Sequence, residues 1–93
     1  MQTMADITVT PVGTYEFHVQ ISDGALRTSH HVTVPEGLIN ELQLSEDSLD
    51  KVVRESFVFL LEREPASSIM RVFSLDVISG YFPEYKKKLS ERL

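Results

Sequence analysis

Hydrophobic and polar residues alternate along the first third of the chain and fall into helical spacing after it. Ile7 and Val9 alternate with Thr8 and Thr10, the period of a strand with one face buried. Pro11-Val12-Gly13 reads as a three-residue hairpin loop, proline presetting the first turn position and glycine taking the left-handed one. A second run sets Tyr15, Phe17, Val19 and Ile21 against Glu16, His18, Gln20 and Ser22, and ends at Asp23-Gly24, a favoured type I′ turn. The third strand is expected from Ala25 to Val34, with Leu26, His30, Val32 and Val34 inward. These turns set a register. Ile21 faces Leu26, Phe17 faces His30, Glu16 faces His31 and Ser29 faces His18, while Val9 faces Tyr15 and Ile7 faces Phe17. A one-residue slip would turn every apolar side chain to solvent.

From Pro35 onward the spacing is helical. Proline suits the first turn of a short helix through about Leu42, which carries Leu38, Ile39 and Leu42 on one side. Ser45 reads as the cap of a helix over about Glu46 to Arg63, whose apolar arc holds Leu49, Val52, Val53, Phe57, Phe59 and Leu60. Asp47–Lys51 and Asp50–Arg54 have the spacing of helix-supporting pairs. Ser67 or Ser68 caps a short turn with Ile69, Met70, Val72 and Phe73, and Ser74 caps another that Gly80 closes. Tyr81-Phe82-Pro83 runs extended into a last helix from Glu84 to Leu93. The fold class expected is α+β: a three-stranded antiparallel β-meander over about residues 5–34, then a helical half over about 35–93 packed on one face of the sheet. Residues 1–93 form a single domain.

Composition narrows the chemistry. The 93 residues include no cysteine, which excludes disulfides, cysteine-ligated zinc, iron–sulfur clusters and thiol catalysis. The net charge of -5 argues against nucleic acid as a partner. No run approaches a membrane span, and Met1-Gln2-Thr3-Met4 lacks the layout of a signal peptide, so the expectation is a cytoplasmic protein without a membrane partner. The acidity is concentrated in residues 35–64, where eight acids meet three bases.

Three outward sheet residues, Glu16, His18 and His31, are the only candidates for a metal site or a small enzyme, since two imidazoles and a carboxylate suit a divalent ion. Solvated polar residues are also what the outer face of a one-sided sheet requires, and that reading is the stronger. His30 has inward parity, which implies a neutral buried ring. The serines fall at expected helix caps and no nucleophile elbow is present. Glycines at 13, 24, 37 and 80 are too scattered to cradle phosphate, and Lys86, Lys87 and Lys88 read as a solvated helix face. No catalytic residue and no cofactor is assigned.

The run Phe59-Leu60-Leu61-Glu62-Arg63-Glu64-Pro65, followed by Ser68-Ile69, Phe73 and Tyr81-Phe82-Pro83-Glu84-Tyr85, resembles a small group of uncharacterised prokaryotic proteins. The resemblance covers roughly a third of the chain and implies no activity. Val58 and Leu61 fall outside the central stripe of the Glu46 to Arg63 helix, which implies a second neighbour for it besides the sheet. Val58, Leu61, Phe73, Tyr81 and Phe82 are the expected interface of a non-catalytic interaction, regulatory or accessory module, with a protein partner or a second copy in a homodimer.

Overall fold

The computed structural model describes residues 6–93. The expectations for Met1 to Met4, and for the first strand's start at Ala5, lie outside them. Strands β1 (Asp6–Gly13), β2 (Glu16–Asp23) and β3 (Leu26–Thr33) form an antiparallel meander. Helices α1 (Glu36–Leu42), α2 (Leu49–Leu61), α3 (Val77–Tyr81) and α4 (Tyr85–Arg92) follow, and the fold is α+β. A 3-10 turn over Glu46–Ser48 leads into α2, so the expected long helix begins as a tighter turn and ends just before Glu62.

Inward parity follows the alternation. Phe17, Val19, Ile21, Val32 and His30 are buried, against Val52, Val53, Phe57 and Leu60 of α2. The opposite face, with Thr8, Thr10, His18, Gln20, Ser29 and His31, carries the polar residues. Tyr85 and Leu89 of α4 are fully buried, which explains the second apolar side of α2.

The register differs from the expected one in both hairpins. Ile21 lies opposite Thr28, not Leu26, and Val19, not Phe17, lies opposite His30. The loop is Gly24-Ala25, flanked by the pair Asp23 and Leu26. Only Gly24 takes positive φ (65°), the pattern of a type II′ turn, and Asp23 is spared the left-handed conformation that a type I′ turn would impose on it. In the first hairpin Ile7 pairs with Ile21 and Val9 with Val19, and the irregularity between Pro11 and Gly13 is a bulge inside β1 rather than the loop. The turn is Thr14-Tyr15, with Tyr15 at φ 60°. Matched β-branched pairs across β1 and β2 outweigh the ~1–2 kcal/mol that a non-glycine residue pays there. The Tyr15 carbonyl also accepts the Val34 N–H at 2.8 Å. Both shifts are even, so the apolar face survives.

A fourth strand, β4 (Val72–Ser74), extends the sheet beside β3 in parallel, giving the order β1-β2-β3-β4. The sequence pattern reads this segment as part of a capped turn. Ser74 therefore lies in a strand, and Gly80 lies inside α3 instead of closing it. Ser45 stands at the start of its helical turn, but its hydroxyl bonds Ser48 Oγ (3.0 Å) and makes no capping bond to backbone. Among the described residues, neither Asp47–Lys51 nor Asp50–Arg54 forms an ion pair; Arg54 reaches instead to the Ile7 carbonyl on β1.

Candidate interaction surface

The sheet end formed by β4 and the last two helices is held by three kinds of contact. His30 lies on β3 beneath the chain entering β4. The Met70 carbonyl can only accept, so His30 Nδ1–H donates to it at 2.7 Å, and in the neutral ring Nε2 accepts the Thr28 hydroxyl at 2.9 Å. Burial holds the His30 ring below its ordinary pKa, opposed by the bond to Met70 and reinforced by the nearby Arg71 and His18 charges. The ring also packs on Phe57 at 5.3 Å, and Phe57 on Phe73 at 5.9 Å. This chain of rings joins β3, α2 and β4.

The second group fixes α3 and α4. Phe59 meets Phe82 edge-on at 5.8 Å and Tyr85 at 5.3 Å, and the Arg63 guanidinium stacks 3.6 Å from the Phe59 centroid. Arg63 also donates to Glu84 at 3.2 Å; the Glu84 carboxyl titrates below its usual range, chiefly through its own backbone N–H and with help from that arginine. Finally, Arg92 near the chain end binds Glu62 at 2.8 Å and Glu55 at 3.4 Å, and Lys86 binds Glu41 at 2.8 Å. Three of the eight acids in residues 35–64, Glu41, Glu55 and Glu62, thus answer basic residues of α4.

Between these supports lies an apolar groove of about 270 Å³, walled by Leu60, Ile69, Met70, Phe73, Tyr81 and Phe82. Its floor is rigid because Phe73 and Leu60 belong to the core. Its rim is not covered: Tyr81 is 68% exposed and Met70 42%. Val72, on the neighbouring strand, is 73% exposed. Leaving rings of this size in water forgoes the burial that drives the rest of the fold.

Of the expected interface, Tyr81, Phe82 and Phe73 come together in this groove, with Phe73 as floor and Phe82 half-buried. Val58 and Leu61 are half-buried and do not line it. Met70 stands in the expected turn with Phe73 but outside the expected interface; the signal available was an isolated methionine between Ile69 and Arg71 with no acid within four residues of the arginine.

The outward trio is arranged differently from its expected register. His18 lies opposite His31, Gln20 opposite Ser29, and Glu16 opposite Thr33. Glu16 still reaches His31 diagonally, accepting from Nε2 at 3.2 Å on the exposed face. Among the described residues no three metal-ligating side chains gather into one cluster. The alternative site is thus one exposed hydrogen bond beside a second histidine.

Compared with known proteins, the chain matches no family model, no curated protein and no solved structure. Among the described residues no helix is long and apolar enough to cross a membrane.

Proposed function

We propose that this protein is a non-catalytic interaction module that works by contact with another protein at the groove between α2, β4 and α3. One observation carries the reading: a preformed apolar groove whose floor belongs to the core and whose rim ring, Tyr81, stands 68% exposed. Rigid concave apolar surface of this kind offers contact area without the entropy of ordering it on binding. The residues around it serve packing. Ser56 and Tyr85 satisfy each other, Arg63 and Arg92 are engaged by carboxylates, and no buried side-chain polar atom among the described residues lacks a partner. The buried polar groups of this region are therefore committed to the fold, and Glu64 and Ser68 are the polar residues that line the groove.

The test is size-exclusion chromatography of the tagged chain in extract of its native cells, alongside a Tyr81→Glu variant. Wild type is expected to elute in a species well above its own 10.6 kDa and the variant near it. Elution of both proteins at the monomer position would contradict the reading. Mass spectrometry of the larger species distinguishes a second copy from a different protein.

A further inference from the structure

We propose that the partner contributes an extended acidic segment, which adds as a strand to the open edge of β3 and places apolar side chains in the groove. The inference rests on the interaction reading above and specifies the chemistry of its ligand. β4 pairs only with His31, Val32 and Thr33, so the earlier part of the β3 edge has no strand beside it. The flanking bonds, His31 N–H to the Arg71 carbonyl and Leu75 N–H to the Thr33 carbonyl, show which residues of β3 face that edge. Alternation then turns the backbone groups of Ser29 and Arg27 toward the same side, away from β2. Among the described residues these groups have no backbone partner there.

A slot of about 480 Å³ runs along this stretch, between β3 and the connector Ala66 to Arg71. Its walls carry Arg27, Arg71, Thr28, Ser67 and the exposed Leu26. It adjoins the apolar groove, because Ile69 lines both. The charges are the decisive feature. Arg54 binds the Ile7 carbonyl, Arg63 binds Glu84 and Arg92 binds Glu62. Arg27 and Arg71 are the remaining arginines; both line this slot, both are exposed, and among the described residues neither has a carboxylate within ion-pair distance. In a chain of net charge -5, two unanswered guanidinium groups beside an unpaired strand edge complement an acidic peptide. Main-chain bonds to Arg27 and Ser29 give affinity, the arginines select carboxylates, and the groove takes the apolar anchors.

The experiment is selection of a random dodecapeptide library on the immobilised full chain. Selected peptides should combine Asp or Glu with aliphatic or aromatic residues. They should bind the double variant Arg27→Glu/Arg71→Glu at least about tenfold more weakly than wild type, the scale of removing a paired interfacial charge. Ser29→Pro deletes an N–H that β2 does not use, so it should abolish binding with the fold intact by circular dichroism. If Ser29→Pro does not fold, the arginine variant alone decides. Selected peptides without acids, binding unchanged by the arginine reversal, or no enrichment over the input would overturn the proposal. Failure here with a high-mass species still lost in Tyr81→Glu removes the acidic-strand ligand and leaves the interaction reading standing. Loss of both removes both.

Discussion

Ser56 Oγ and Tyr85 OH sit 2.6 Å apart with both residues fully buried, and this bond joins α2 to α4. Its direction is determined. Ser56 spends its single proton on the Val52 carbonyl at 2.7 Å, so Tyr85 must be the donor to Ser56. The two deletions are consequently unequal. Tyr85→Phe leaves Ser56 still bonded to Val52 and should cost about 1 kcal/mol. Ser56→Ala strands the phenol in the core and should cost about 1–3 kcal/mol, with the double variant no worse than the serine change alone. Urea unfolding of the three variants measures this; equal single losses would contradict the assigned direction.

The same bond gives an alkaline signature. Burial pushes the Tyr85 hydroxyl up to about 12 from its ordinary 10, against the opposing pull of Ser56. The folded state therefore keeps its proton after the unfolded chain has lost it. The resulting stability is complete below pH 10 and falls as pH rises toward 12, by about 2–3 kcal/mol in all. Tyr85→Phe should remove the Tyr85 share of that alkaline fall, seen by unfolding at pH 9 and above.

His30 gives the acid counterpart. Its folded pKa lies below the ordinary 6.5 because burial disfavours the charged ring. As pH falls below 6.5 the unfolded chain binds this proton first, so stability declines until the pH reaches the lowered folded value. Above 6.5 both states are neutral and the contribution is constant. Histidine NMR titration should show His30 protonating below the ordinary 6.5 and its proton moving Met70, whose carbonyl it holds. A His30 resonance titrating above 6.5 would contradict the buried geometry.

Parity, core and helix order were legible in the sequence because each depends on a local period. Phe17, Val19, Ile21 and Val32 are inward whether a hairpin shifts by two residues or not. Register was less legible because it depends on which residue accepts positive φ. Tyr15 does so at φ 60° where Gly13 was expected to, and no local signal marks a tyrosine for that role. β4 was hidden for another reason. Three residues carry too little pattern to define a strand, and this one exists through its parallel pairing with His31 to Thr33, some forty residues away. The groove inherits that limit: Tyr81, Phe82 and Phe73 stand out as apolar residues in short segments, but Met70 and the slot at Arg27 and Arg71 exist only once β4 is in place.

Core and turn substitutions test the frame that carries the groove. Phe57 is fully buried and touches both His30 and Phe73. Phe57→Ala should lose about 3–5 kcal/mol, which removes a large share of a small domain's stability. Gly24 has open space around its Cβ position, so Gly24→Val should cost about 1 kcal/mol or more through positive φ alone. A neutral result at Gly24 would mean the second turn is not the one described.

The central claim is that Tyr81 marks a contact surface. It is tested most directly by placing a photoactivatable benzoyl-phenylalanine at position 81 of the full chain in its native cells, with the same residue at Thr8 on the outer sheet face as control. The account predicts a discrete covalent adduct from position 81 and none of that mass from position 8. No adduct from position 81, or the same adducts from both positions, would contradict it.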